Sequence, residues 1–429
     1  MLGRSRLILR VRAAVGTMML AMPIAGHAQQ PTMFTQEFVF NGSGVGYGGA
    51  IPLNGNLLYR NQQLYGTTYA GGMIVGPNEA DLGATDLGAI YQYSTTGASH
   101  ESPVSLYGFS GPDGAHPNGG LVADARGDLY GTTQVGGAHN LGTVFRLAPP
   151  ASAGGTWALT TLHSFAGPDG SNPGAGLTFG PNGALYGTTM AGGPASAAST
   201  GVVFSLSTSG AMFRVVSNLI PGIGSRSSLI FDPQGNILGT TYRTIATRAA
   251  GSLFKVAPDG TYTTVTQFAA SEAEPNHTST GGPIGNIVRD AAGNIYGMLE
   301  TVDQVIAPQH RQGAAVYEVT AVTHKLVILA ILDGLTAQSG VVRDAAGSLY
   351  GTTVNGGATG TGSVFVLSPN GTLTTLASLP SANAAPVSGV IFDPTGRLWG
   401  TSSAGGNRHC PTSSNVTPTG CGTLFSLSP

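Results

Sequence analysis

Short runs in which apolar residues alternate with small polar ones recur along the whole chain, separated by turns rich in glycine, proline and asparagine. The clearest run reads Leu-Tyr-Gly-Thr-Thr at 129–133 and recurs at 64–68, 185–189 and 349–353, with degenerate copies at 237–241, 295–299 and 398–402. Alternation with a period of two predicts β-strands, and no helical period is apparent beyond residue 30. Seven copies about fifty to sixty residues apart indicate an array of tandem repeats.

Each repeat carries four such segments in a fixed order, which in the second repeat lie at 121–124, 128–134, 142–148 and 157–165. The first two are joined by Ala125-Arg126-Gly127, a short turn whose glycine can adopt a positive φ. Four antiparallel strands in about 55 residues make one blade of a propeller. The sequence therefore predicts an all-β, seven-bladed β-propeller. Six or eight blades and a parallel β-helix are the alternatives.

The ends of the chain predict how the ring closes. The last repeat stops at its third segment, Gly422–Ser428, whereas an unassigned strand-like segment, Thr35–Phe40, precedes the first repeat. We expect this N-terminal strand to complete the seventh blade, because closure removes exposed sheet edges. Within each blade, we expect the glycine of the repeated motif to let an aromatic ring of a neighbouring blade approach the backbone.

The composition and the N-terminal residues predict the partners and the cellular location of the protein. Charged residues make up only 9% of the chain and the formal net charge is −2, so nothing favours nucleic acid as a partner. Residues 1–28 combine four arginines, an apolar run and Gly26-His27-Ala28, which predicts a secretory signal peptide. The mature chain, 29–429, is then one exported domain, periplasmic, cell-surface or secreted, with no membrane span and expected to be monomeric.

The repeat unit carries a family resemblance. Its pattern is Gly-Leu-Val-x-Asp-x-x-Gly-x-Leu-Tyr-Gly-Thr-Thr, followed by Gly-Gly and by Gly-Thr-Val-Phe, and it is clearest at 120–147, 176–206 and 340–367. This unit resembles the GloVer tandem repeat of bacterial proteins, recognisable across residues 34–429. The resemblance implies an exported bacterial protein. It implies no established activity and no catalytic residues.

Candidate chemistry lies in the loops between the second and third strands and between blades, which share one face of a propeller. Polar residues there that could contact a ligand are Asp81, Asp86, Asp113, His116, Asp169 and His409. Paired carboxylates across a cleft would suit glycoside hydrolysis, and a His or Tyr base beside an Arg would suit a lyase. In Gly-Pro-Asp-Gly loops, however, an aspartate more often bonds its own turn, which is the stronger interpretation of Asp113 and Asp169.

The two cysteines, Cys410 and Cys421, lie in one long loop of the seventh repeat and are predicted to form a disulfide in an oxidising compartment. Metal-ligand spacings, nucleotide motifs and the Gly-x-Ser-x-Gly of serine hydrolases do not occur, so neither a metal nor another cofactor is expected. The sequence favours a binding protein for a glycan, a peptide or an envelope protein. A carbohydrate-active hydrolase or lyase and a purely structural surface protein are the alternatives.

Overall fold

The computed structural model describes residues 33–40, 57–71, 87–96, 103–194, 200–219, 224–242, 249–269, 278–280, 282–306, 309–380, 385–405 and 421–428. These residues form strands, bridges and turns, with no helix among them. They build seven small antiparallel sheets arranged in a ring. The predicted seven-bladed β-propeller is confirmed.

Thirty strands among the described residues make up the blades. Those of blades one to three are β2 (Leu58–Arg60), β3 (Gln63–Thr68), β4 (Ala89–Ser94), β5 (Val104–Gly108), β6 (Ala115–Pro117), β7 (Val122–Ala123), β8 (Leu129–Val135), β9 (Thr143–Ala148), β10 (Ala158–Ser164), β11 (Thr178–Phe179), β12 (Leu185–Thr188), β13 (Val202–Leu206) and β14 (Phe213–Asn218). Those of blades four and five are β15 (Ile230–Phe231), β16 (Ile237–Thr241), β17 (Ala249–Val256), β18 (Tyr262–Ala269), β19 (Thr278–Thr280), β20 (Pro283–Arg289), β21 (Ile295–Ile306), β22 (Gln309–Val319) and β23 (Leu326–Asp333). Those of blades six and seven are β24 (Val342–Arg343), β25 (Leu349–Thr353), β26 (Ser363–Leu367), β27 (Leu373–Ser378), β28 (Ile391–Phe392), β29 (Leu398–Ser402), β30 (Thr423–Ser428) and β1 (Met33–Val39).

The N-terminal strand closes the ring as predicted. Strand β1 pairs antiparallel with β30 from Met33↔Ser428 to Val39↔Thr423. Its register shifts opposite the Leu424–Phe425 step, and the outer strand of every other blade shifts at the matching step. Because β1 reproduces this bulge, it takes the place of a fourth strand in full.

A buried carboxylate on the closing strand contacts the rest of blade seven and also blade one. Glu37, at the bulge of β1, accepts a hydrogen bond from Ser426 Oγ at 2.5 Å within blade seven. It also accepts one from Tyr93 Oη of blade one at 3.3 Å. Arg397 Nη1 lies 3.5 Å from the same carboxylate. The seam of the ring is therefore held by polar contacts as well as by backbone pairing.

The apolar core lies between blades. It divides into seven clusters among the described residues, and each cluster joins side chains of two adjacent blades. Between blades two and three, for example, Tyr130 and Phe165 pack on Leu185 and Phe204. A single blade therefore cannot bury its own apolar faces, and each blade depends on both neighbours.

The aromatic ring that covers the repeated glycine belongs to the same blade, so the expectation of a neighbouring blade's ring is wrong. Gly131 lies directly opposite Phe145 in the β8–β9 register. A Cβ placed on Gly131 would lie 2.6 Å from Phe145 Cζ. The same pairing holds in the other six blades, at Gly66–Tyr91, Gly187–Phe204, Gly239–Phe254, Gly297–Tyr317, Gly351–Phe365 and Gly400–Phe425. The glycine leaves room for a cross-strand ring that lies flat on the sheet.

The turn between the first two strands of a blade is organised by its aspartate. Asp124 Oδ1 accepts hydrogen bonds from three successive backbone N–H groups, those of residues 126–128, at 2.9 to 3.0 Å. Its Oδ2 accepts the Tyr130 hydroxyl at 3.2 Å, and Gly127 has the predicted positive φ, 98°. Equivalent aspartates are Asp232, Asp290, Asp344 and Asp393. These repeated carboxylates therefore stabilise their own turns.

Candidate binding site

A cavity of about 150 Å³ lies where the first strands of blades two to six converge on the axis of the ring. Five of its lining residues occupy one repeated position, just before or within the first strand of consecutive blades: Gly120, Gly176, Ser228, Asn286 and Gly340. The cavity is therefore part of the central channel of the propeller, and five of its fifteen lining residues are glycines.

Glycine at this position follows from the close approach of neighbouring blades. A Cβ on Gly176 would lie 3.0 Å from the carbonyl oxygen of Gly120, and one on Gly119 would lie 2.5 Å from that of Ala175. Side chains at these points would collide with backbone, which cannot give way. Blades four and five depart from glycine and carry Ser228 and Asn286 instead.

Three side chains from blades four and five form a polar cluster at the channel. Tyr242 directly follows β16 and donates its hydroxyl to Glu300 Oε2 at 2.9 Å. The Arg226 guanidinium lies over the Tyr242 ring, with Cζ 4.7 Å from the centroid. Tyr242 and Glu300 occupy the same repeat position, one residue beyond the five-residue motif, and so lie at the loop end of the channel. Opposite charges are thus held apart by an aromatic ring.

Several polar groups of the cavity are left without partners. Among the described residues, Arg226 makes no hydrogen bond or ion pair, and Glu300 uses one carboxylate oxygen only. Asn286 Oδ1 accepts the Ser228 N–H at 3.1 Å, while its amide Nδ2 has no acceptor in the described part of the chain. Gln338, also in the lining, is exposed. Donors and acceptors therefore face one space from different blades, as in a site for a polar ligand.

The aspartates predicted from the sequence lie elsewhere and bond their own loops. Asp113 accepts the Tyr107 hydroxyl at 2.5 Å and both the backbone N–H and the hydroxyl of Ser110 at 2.9 Å. Asp169, in the equivalent loop of the next blade, accepts the Ala166 N–H at 2.8 Å and lies 2.8 Å from His163 Nε2. Neither residue lines the central cavity.

His116 shares its loop with Asp113 and faces blade one. Its ring stacks on Tyr69 at a centroid distance of 4.4 Å, and its Nδ1 lies 2.9 Å from the Tyr69 carbonyl oxygen. The remaining candidates, Asp81, Asp86 and His409, lie outside the described residues. A ligand site that unites these six residues stays a prediction.

The cysteine pair is described on one side only. Cys421 is fully buried, packed with the cluster between blades seven and one, whereas Cys410 lies outside the described residues. Within the described chain, no group of three or more metal-ligating side chains comes together. No helix found there has the length and apolarity needed to cross a membrane.

Sequence reasoning missed Arg226, Tyr242, Asn286 and Glu300, although the repeat contained a signal for them. Regular blades carry glycine where Asn286 lies, and the degenerate motif at 295–299 is followed directly by a charged residue, Glu300. A polar residue that breaks an otherwise repeated position, and does so in two adjacent blades, marks a place where one part of the ring differs from the rest.

Comparison with known proteins agrees with this architecture. A model of the Gloeobacter/Verrucomicrobia repeat matches residues 31–219, 151–307 and 228–429, which together span the repeats. No curated protein matches the sequence. Among solved structures, oligogalacturonate lyase from Vibrio parahaemolyticus is similar with a TM-score of 0.55 at 11% identity, over 92% of this chain and 93% of that one. A protein of unknown function from Dyadobacter fermentans has a TM-score of 0.45 at 11% identity, over 92% and 98%. At these identities the similarity shows the fold alone.

Proposed function

We propose that this chain, which belongs to the Gloeobacter/Verrucomicrobia repeat family, is an exported binding protein that holds a glycan at the loop end of its central channel. The observation that carries this proposal is the convergence of partnerless polar groups of Arg226, Asn286 and Glu300 on one cavity around the Tyr242 ring. The turn aspartates bond their own loops, whereas Arg226 is exposed and Asn286 and Glu300 are half-buried at the cavity, where a ligand can reach them. Their ligand is expected to supply the missing partners.

The composition of the lining favours a glycan over an apolar ligand or a protein segment. Glycine, serine, asparagine and glutamine dominate it, and Ala175, Ile284 and Ala337 are its only aliphatic members. At about 10–15 Å³ per water, the volume corresponds to roughly ten waters, on the scale of one sugar ring and its hydroxyls. A sugar replaces such waters with hydroxyl groups that both donate and accept.

The experiment is a glycan array probed with the mature protein, followed by calorimetric titration of each glycan that binds. Asn286→Gly, which installs the residue of the regular blades, should weaken binding at least about tenfold because it removes an amide from the site. Asn182→Gly is the matched control: its side chain bonds within a turn of blade three, at Tyr186 and Ala184, away from the cavity. An array without a hit, or equal loss in both variants, would reject the proposal.

Two further properties belong to the proposed role. Residues 1–28 are expected to direct export, and the mature chain is expected to be a monomer that meets its ligand or an envelope partner outside the cytoplasm. In that compartment Cys410 and Cys421 are expected to pair, which would order the loop of blade seven. Two reactive thiols in the exported, denatured protein would contradict the pairing.

An enzymatic role has one observation in its favour. The Tyr242 hydroxyl donates to Glu300 beside Arg226, and a tyrosine next to an arginine is a pairing that polysaccharide lyase chemistry uses. The same titration samples decide between the roles. Glycans recovered intact after long incubation support binding, and shortened chains with an unsaturated end would establish a lyase.

A further inference from the structure

A second cavity, of about 250 Å³, lies between blades four and five at the turn end of the ring. Its wall includes Gly293 of the turn between the first two strands of blade five and Thr320 of the hairpin between the last two. It shares no lining residue with the channel cavity. Two half-buried cations, Lys255 of β17 and Arg289 of β20, are part of this wall. Each occupies a repeat position at which another blade supplies a partner for the cation.

Arg289 lacks the aromatic ring that its repeat position meets elsewhere. In blade six the equivalent Arg343 lies over the Tyr296 ring of the preceding blade, with Cζ 5.9 Å from the centroid. In blades three, four and seven the position is phenylalanine, which packs edge-on against the preceding blade's tyrosine at 5.0 to 5.8 Å. The residue that Arg289 meets at the tyrosine position is Leu238. Leucine offers no ring face, so the guanidinium has no cation–π contact there.

Lys255 lacks the carboxylate that its repeat position meets in blade two. The equivalent residue there is Arg146, whose Nε lies 3.9 Å from Asp128 Oδ2. Blade four carries Asn236 at the position of Asp128, and the Asn236 amide donates to Asp232 Oδ2 at 2.7 Å. The acid that would pair with Lys255 is therefore replaced by a neutral side chain.

The positive charge at this cavity is not balanced by neighbouring acids. Within the described part of the chain, neither Lys255 nor Arg289 makes a side-chain hydrogen bond or an ion pair. The other titratable residues of the wall are Asp232 and His324. Both oxygens of the Asp232 carboxylate accept hydrogen bonds within its own turn, at 2.7 to 3.0 Å, and His324 is exposed. Two cations therefore face the cavity together with one carboxylate that is already bonded.

The remaining carboxylates of this part of blade five lie on the other face of its sheet. Asp290 and Glu318 both accept the hydroxyl of Tyr296, at 3.1 and 3.2 Å. Tyr296 packs in the cluster between blades five and six, not in the one between blades four and five. These two acids are therefore not available to Lys255 or Arg289.

We infer that this cavity binds an organic anion, whose oxyanion group pairs with Lys255 and Arg289 and whose apolar body covers the rest of the wall. A carboxylate or a phosphate group supplies the acceptors that both cations lack. Seven of the fifteen lining residues are aliphatic, Leu238, Val265 and Ala321 among them, against three in the channel cavity. At about 10–15 Å³ per water, the volume corresponds to roughly twenty waters, more than a bare inorganic anion fills. This site is independent of the proposed function.

The test compares three probes that share one alkyl chain, octanoate, octyl phosphate and the neutral octanamide, by calorimetric titration of the full-length mature protein. At least one anion should bind about tenfold or more tightly than octanamide, the range expected for charge-assisted hydrogen bonds. The tighter of the two anions identifies the oxyanion group. Acetate and inorganic phosphate should bind more weakly than the octyl anions, because they lack the apolar body.

The variants separate the two cations from the rest of the surface. Lys255→Gln and Arg289→Gln should each reduce the ratio of anion to amide affinity, and the two together should bring it close to one. Arg343→Gln is the matched control and should leave the ratio unchanged, because Arg343 holds the same repeat position in the next blade and is not part of this wall. Unfolding midpoints near that of the parent protein show that the variants are folded.

Three results would overturn the inference. The first is equal binding of the octyl anions and octanamide by the parent protein. The second is a ratio that survives Lys255→Gln and Arg289→Gln, singly and combined. The third is an equal fall in the ratio for Arg343→Gln, which would mean that the anions respond to the overall charge of the protein and not to this cavity.

Discussion

Blades two and five have the same strand arrangement but carry different residues at two equivalent positions. Blade two has Gly120 at the channel, whereas blade five has Asn286, and its five-residue motif is followed by Glu300. Both blades keep the turn aspartate, Asp124 in one and Asp290 in the other, bonded to its own turn. The recurring turn aspartates bond their own turns, whereas Asn286 and Glu300 of blade five line the channel cavity.

The largest loss of stability is expected when the recurring glycine is replaced by a larger residue. Gly131→Val in blade two should lower the free energy of unfolding by about 3 kcal/mol or more, because the added methyl groups meet the buried Phe145 ring. Denaturant unfolding of the purified variant measures this. Phe145→Leu in the same chain should recover part of the loss by removing the far end of the ring. Two independent, additive losses would contradict the contact.

A smaller loss is expected at a recurring aspartate. Asp124→Ala removes the acceptor of three backbone N–H groups and of the Tyr130 hydroxyl. It should cost about 1–3 kcal/mol of stability. Glu300→Gln, at the variable position directly after the motif, should leave stability almost unchanged. Equal destabilisation by the two changes, measured by thermal unfolding, would remove the distinction between the two kinds of position.

A gain in stability is expected where blade five replaces the recurring phenylalanine. Tyr317 lies at the Phe145 position, and its buried hydroxyl has no partner among the described residues. Burial also raises the pKa of Tyr317, since the ionised form would have no solvent. Tyr317→Phe should therefore stabilise the protein by about 1 kcal/mol.

Tyr350→Phe is the control for this gain, since the Tyr350 hydroxyl donates to Asp344 Oδ2 at 3.1 Å. It should destabilise slightly. A loss of stability in Tyr317→Phe, measured by denaturant unfolding, would show that the hydroxyl has an acceptor.

The smallest change in stability is expected when the pH is lowered. Burial opposes ionisation of Asp393, but hydrogen bonds from Thr395, Trp399 and Arg397 outweigh it and lower the pKa of the carboxyl below its ordinary value of 3.8. A lowered pKa adds stability above that ordinary value, and the stability is lost as the pH falls through the folded-state pKa. The melting temperature should fall below pH about 4, with a shallower slope in Asp393→Asn. An unchanged slope would contradict the shift.

The recurring features were predictable from the sequence, and the exceptional ones were not. Seven motifs, positive-φ turn glycines and a spare N-terminal strand predicted the blades and their closure, because strand pairing follows from local pattern. The position of the ring over Gly131 was assigned to the wrong blade, since a glycine pattern does not reveal which sheet supplies its cover. Arg226 and Glu300 lie 74 residues apart in the chain, and they come together only when blade four packs on blade five.

The most direct test replaces three residues of the site by residues that other blades carry at the same positions. A variant with Ser228→Gly, Asn286→Gly and Glu300→Gln carries in blades four and five residues that regular blades have at these positions, Gln134 being the model for the last. We expect an unfolding midpoint close to that of the parent protein and loss of calorimetric binding to the glycan that the parent binds. A variant that binds this glycan with the parent's Kd would contradict the claim that Ser228, Asn286 and Glu300 contribute to the site.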